Sequence, residues 1–172
     1  MNILLANIIV YLTRYAFFIR HLFKNYYIKT TIGALKWAVI GYAFSLVNGY
    51  YGLICYTALI IYELLKMLKL SKYVLVNSLL FILSLSFIYF NKEYGVISLL
   101  PFIALFIKII LKPMLKNKDN KYTDFTINLI ICVYSYKYHL YVLFIYKVFD
   151  ILFPAIGNTI KGVTDYANKR IN

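Results

Sequence analysis

The stretch Trp37 to Tyr62, WAVIGYAFSLVNGYYGLICYTALIIY, carries no formal charge over 26 residues. Tyr73 to Phe90, YVLVNSLLFILSLSFIYF, carries none over 18. Roughly 20 helical residues cross the ~30 Å hydrocarbon core of a bilayer. Both stretches therefore read as membrane-spanning helix, the first divided into two by Asn48-Gly49 and Gly52. Neither shows the short alternating segments of a transmembrane β-barrel. Helices are the other structure that satisfies its own backbone polar groups in lipid.

The rest of the chain agrees. It has 172 residues, 63% hydrophobic and 15% charged, with mean hydropathy +0.74. Soluble domains run near 45–50% apolar and about 25% charged. The predicted fold class is all-α, a polytopic transmembrane bundle of six to seven helices in a single domain over residues 1–172. The predicted helices cover 3–23, 32–48, 51–68, 73–90, 96–111, 125–149 and 151–168. No internal repeat and no cleavable signal signature is visible. The many Ile, Asn, Lys, Tyr and Phe residues hint at an AT-rich gene of the kind found in organelle genomes.

The net charge of +13 sits mainly in loops. Lys24 and Lys29 lie in one, Lys66, Lys69 and Lys72 in another, and Lys112, Lys116, Lys118 and Lys121 in a third. The loops between these hold no charge near 48–52, and Lys92 against Glu93 in Asn91 to Gly95. Basic loops alternate with neutral ones, as the positive-inside rule requires. The basic loops are then expected in the matrix or cytosol, with the N-terminus on the opposite side. The charge answers to topology and anionic headgroups rather than to nucleic acid. Cys55 and Cys132 lie inside apolar segments and read as small core residues, without metal or haem spacing. No P-loop, dinucleotide fingerprint, zinc-protease motif or nucleophile elbow is present.

An ionisable group inside a membrane helix is costly and marks function by default. Lys137 lies in the middle of the 125–149 segment, about 18 Å from either end. That is beyond the reach of a snorkelling stem, so it is expected to meet a partner or water. His139 points to another side of that helix and is read as either a relay group or a packing histidine. Glu63 is the one carboxylate in a strong apolar segment. It either pairs locally with Lys66 at i+3 or binds protons beside a lysine of another helix. Lys108 either belongs to that relay or snorkels toward Lys112. Arg14 is deep in the first segment, and Arg20 and His21 look like end anchors.

Four features occur in order. Tyr62-Glu63-Leu64-Leu65 is followed by Tyr73-Val74-Leu75-Val76. Then come Ala104-Leu105-Phe106-Ile107-Lys108-Ile109-Ile110-Leu111-Lys112-Pro113, the segment Thr126 to Phe144 around Lys137, and Gly157-Asn158 with Ala167-Asn168-Lys169-Arg170. This set resembles the fifth, seventh, eighth and ninth helices of the antiporter-like membrane subunits of respiratory complex I, most of all the NADH dehydrogenase subunit 2 family. The chain departs from the pattern after Pro113, where Met114-Leu115 stands in place of Phe-His and a Trp. Its gap from Glu63 to Tyr73 is also longer.

The resemblance implies half of a split subunit, matching the third to ninth helices, in the mitochondrial inner membrane. It implies proton translocation coupled to NADH:ubiquinone reduction, with Glu63 and Lys108 paired, Lys137 as the next relay group and His139 as a possible one. No redox centre or other cofactor is expected on this chain. The implied partners are other membrane subunits of the complex, including the chain carrying the missing half, and membrane lipids. Two other readings stay open: a structural subunit of a respiratory or ATP synthase complex without proton chemistry, and a small independent transporter.

Overall fold

The computed structural model describes residues 2–87, 96–115 and 120–152. Among them every regular element is helical, in agreement with the all-α reading. Helix α1 is Asn2–Leu22, α2 Tyr26–Leu46, α3 Tyr50–Met67 and α4 Val74–Ser86. Next, α5 (Leu100–Phe106) runs through a π-helical turn, Ile107–Leu111, into α6 (Lys112–Met114). Helix α7 is Asn120–Lys137, and α8 occupies 141–152. Most of the expected helix 151–168, with Gly157-Asn158 and Ala167 to Arg170, lies outside the described residues. So do the Asn91 to Gly95 break, Lys116, Lys118, and the side chains of Arg14, Arg20, His21 and Lys121.

Local chemistry sets the boundaries. The Asn25 side chain caps α2 by accepting the Tyr27 N–H at 2.8 Å and the Ile28 N–H at 3.4 Å, an N-cap arrangement that satisfies otherwise orphaned donors. This moves the start of α2 from the expected residue 32 to Tyr26. Between α2 and α3, Asn48 takes a left-handed conformation (φ 59°), and the Gly49 N–H returns to the Phe44 carbonyl at 2.9 Å. That left-handed closure is a common helix stop.

The single helix expected over 125–149 is instead two helices. The chain reverses at Tyr138-His139, where His139 has φ 58°. Lys147 Nζ donates to Asn128 Oδ1 at 2.9 Å. In one continuous helix these residues would stand about 28 Å apart at 1.5 Å per residue, so α7 and α8 form an antiparallel hairpin. Asn7 of α1 clamps its tip. Its Nδ2 donates to the His139 carbonyl and its Oδ1 accepts the Val142 N–H, both at 2.9 Å.

The helices alternate in direction. At one end, the tip end, Asn2, Leu46, Asn48 and Lys137 come together. At the other, Tyr26 Oη donates to the Lys66 carbonyl, and Lys112 pairs with Asp124. Lys24, Lys29, Lys66, Lys69, Lys72 and Lys112 all belong to this lysine end.

The core lies where α1, α2 and α3 pack, with α5 and α7 against α3. Its centre is aromatic: Phe44 stacks on Tyr56 (5.5 Å between centroids) and packs on Tyr134 (5.1 Å). Gly52 permits this approach, since a Cβ there would lie 2.8 Å from Phe44 Cγ and 2.9 Å from Tyr134 Cε1. The Gly52 N–H donates to Tyr134 Oη at 2.9 Å, satisfying one donor at the start of α3. Cys55 and Cys132 are buried free thiols.

The outward faces are apolar. On α4, Leu75, Leu79, Ile82 and Leu83 are each more than half exposed, and comparable residues line α1, α2 and α7. Among the described residues, one helix, Ile97–Met114, is long and apolar enough to cross a membrane, with mean hydropathy 2.0. Asn2–Thr13 and Val74–Ser86 are shorter apolar stretches.

Candidate functional site

Charged side chains converge in the middle of the bundle around Trp37 of α2. Lys108 reaches it from the π-helical turn after α5. Such turns widen a helix locally and recur at functional positions. The Lys108 ammonium lies 3.9 Å from the centre of the indole ring, and that of Lys36 lies 4.9 Å from it. Lys108 is half-buried. Among the described residues it makes no hydrogen bond or ion pair, so the ring face is its closest electrostatic partner. A desolvated cation–π contact contributes about 2 kcal/mol or more. Lys147 lies near the same tryptophan, lining a cavity with Trp37 and Lys36.

Glu63 is 5% exposed on α3. Its Oε1 accepts from Lys66 Nζ at 3.2 Å, and Lys66 also lies over the Tyr62 ring at 4.6 Å. Of the two alternatives for Glu63, the structure shows the local pair with Lys66 one turn along its own helix. The Lys108 amine turns onto the Trp37 ring, while Lys112 pairs with Asp124 at the lysine end.

Lys137 is the clearest displacement from expectation. It is the last residue of α7, at the tip of the hairpin and not midway along a helix. There it donates to Ser98 Oγ at 2.6 Å and borders an open polar cleft with Asn2, Asn48 and His139. A cation suits the negative end of a helix dipole. His139 is exposed, with Nδ1 2.8 Å from Tyr141 Oη. Neither residue meets the Lys108 cluster.

Lys147 occupies the mid-bundle position instead. Its Nζ donates to Asn128 Oδ1 and, at 3.2 Å, to Asp150 Oδ2. Beside it, Thr13, Lys36, Trp37, Tyr146 and Asp150 enclose a cavity of about 20 Å³. A second, mostly apolar cavity of about 30 Å³ lies against Lys108, Tyr56 and Tyr134. Lys36, Trp37 and Lys147 escaped the sequence reading for one reason: misplaced helix ends. A start at residue 32 left Lys36 one turn from the boundary, and an unbroken 125–149 put Lys147 at an edge. The visible signals were Asn25 as a cap and the polar run Tyr134-Ser135-Tyr136-Lys137-Tyr138-His139 as a break.

Among the described residues no group of His, Cys, Asp and Glu is arranged to hold a metal ion. The chemistry within reach is proton exchange and electrostatics among amines, carboxylates and hydroxyls. Comparison with protein families, curated proteins and solved structures finds no match for this chain.

Proposed function

We propose that this chain is a polytopic helical membrane protein serving as a proton-translocating, antiporter-like half-subunit of the membrane arm of NADH:ubiquinone oxidoreductase. Its outward apolar faces are of the kind that lipid covers, whereas a soluble monomer rarely exposes large contiguous apolar patches. The gathering of lysines at one end supports an orientation with that end in the matrix of the mitochondrial inner membrane. The partners are other membrane subunits, among them a chain carrying the second half. Electrons pass elsewhere in the complex.

The observation that carries the relay reading is Lys108. It is a half-buried lysine on a π-helical turn, its ammonium held against an indole ring that Lys36 also faces. How firmly such an amine holds its proton depends on which neighbouring charges are present. A small movement of the Glu63–Lys66 pair therefore changes proton occupancy at Lys108. Native electrophoresis of mildly solubilised membranes tests the assignment. The chain is expected to co-migrate with an NADH-oxidising assembly, and migration as a free small protein contradicts it.

One observation favours the structural-subunit reading. Glu63 already has a local partner in Lys66, the arrangement a purely architectural ion pair would take. Exchanging the two charges separates the readings, as developed below.

A further inference from the structure

Two observations meet at Trp37. The indole Nε1 has no hydrogen-bond partner among the described residues, although it is buried. The cavity of about 20 Å³ that Trp37 lines is bounded by Thr13, Lys36, Tyr146, Lys147 and Asp150. An orphaned buried N–H carries its full desolvation cost. A cavity needs about 10–15 Å³ and two to four polar neighbours to hold a water, and this one meets both conditions. The cavity beside Lys108 and Tyr56 is larger and borders the Tyr56 hydroxyl, unpartnered among the described residues, but it has fewer charged side chains in its wall than the cavity holding Lys36, Lys147 and Asp150.

We infer that the cavity among α1, α2 and α8 binds one water that accepts the Trp37 N–H, and that Lys147 with Asp150 is the pair whose protonation sets the field at Lys108, a role Lys137 does not fill. The inference rests on the relay reading above. Lys147 stands within hydrogen-bond distance of Asp150 (3.2 Å) and Asn128 (2.9 Å). Lys147 lines the same cavity as Trp37, and Lys108 lies against the ring of that tryptophan at 3.9 Å. Lys137 is occupied with Ser98 at the hairpin tip.

The step balances without an outside reactant. The Lys147 ammonium gives a proton to the water, and the water gives one of its own to the Asp150 carboxylate. This leaves a neutral amine, a neutral carboxylic acid and an unchanged water. The ion pair has then become a neutral pair, and the field at Lys108 has changed. Asn128 holds the amine in place through either state, since its carbonyl oxygen accepts from both.

The test uses the native assembly reconstituted in vesicles, with NADH-driven proton uptake measured for Lys147→Gln, Lys137→Gln, Trp37→Phe and Lys108→Ala. A structure at a resolution that shows ordered waters accompanies it. Lys147→Gln is expected to lower uptake per NADH, by more than Lys137→Gln does, and to alter the pH profile of uptake. Density for a water is expected against Trp37 Nε1, and it is expected to vanish in Trp37→Phe, which keeps the ring but loses the donor. An empty cavity in the unaltered protein overturns the inference. So does a larger loss from Lys137→Gln than from Lys147→Gln. If Lys147→Gln does not assemble, the water density and the Trp37→Phe pH profile decide the matter. If Lys108→Ala alone pumps normally, the relay reading has failed and the inference falls with it. If Lys108→Ala is impaired while Lys147→Gln is not, only the inference fails.

Discussion

The Lys108 ammonium and the Trp37 indole face each other at 3.9 Å in the middle of the bundle, so that an aromatic ring stands where a carboxylate would be the ordinary counter-group. A ring attracts the cation without taking its proton. It also leaves the amine responsive to charges further away, of which Glu63 is the attractive one.

Trp37 is therefore expected to be structurally costly to remove. Trp37→Ala is predicted to destabilise the protein by about 3–5 kcal/mol through the cavity it leaves, together with the lost cation–π contact. Trp37→Phe keeps a ring face and is predicted to cost much less. Cys55 and Cys132 are both buried, so heat-dependent labelling by a fluorogenic thiol dye reports the unfolding temperature directly.

Exchanging the charges of Glu63 and Lys66 tests whether their pair is architectural. Glu63→Lys with Lys66→Glu preserves an i,i+3 pair on one helix face. The relay account predicts an assembled protein with impaired proton uptake, because the carboxylate has moved along α3 relative to Lys108. Normal uptake would favour the structural-subunit reading.

The hairpin tip predicts a contrast in accessibility. A cysteine in place of Lys137, at the mouth of an open cleft, is expected to react readily with a membrane-impermeant thiol reagent. A cysteine in place of Lys108, which packs against Trp37 inside the bundle, is expected to react more slowly. The native thiols contribute little background because they are buried. Equal labelling of both positions would contradict the hairpin.

Asn7 supplies both of its side-chain amide groups to that tip. Asn7→Ala is predicted to cost about 1–3 kcal/mol by leaving the Val142 N–H and the His139 carbonyl without partners. Its thermal unfolding, followed by the same thiol dye, checks the figure. His139→Gly is predicted to be neutral or mildly stabilising, since glycine takes a φ of 58° without the steric penalty of a side chain.

Gly52→Ala is predicted to be strongly destabilising. The added methyl meets Phe44 and Tyr134 ring atoms inside 3.0 Å, and the α2–α3 crossing has no flexible side-chain end to yield. Tyr134→Phe is the milder change, removing the acceptor of the Gly52 N–H at about 1 kcal/mol or somewhat more. The same labelling experiment ranks the two.

Helical character was legible from the long uncharged runs, and the stop between α2 and α3 from Asn48-Gly49. The hairpin between α7 and α8 was not. No glycine or proline marks Tyr138-His139, and the turn depends on a left-handed histidine and on Asn7, which is remote in sequence. Because spans were measured from assumed ends, the depth of each lysine inherited the error: Lys137 moved from the centre to a tip, while Lys36 and Lys147 moved inward. Glu63 was read with its local partner as one of two alternatives, and the structure places it there. Trp37 carried no signal as a counter-group, because a single tryptophan in an apolar run reads only as packing.

Proton uptake by vesicles containing the native assembly with Lys108→Ala tests the central claim most directly. The account predicts an intact, NADH-oxidising assembly whose uptake falls by about tenfold or more. Normal assembly with full proton uptake would contradict it.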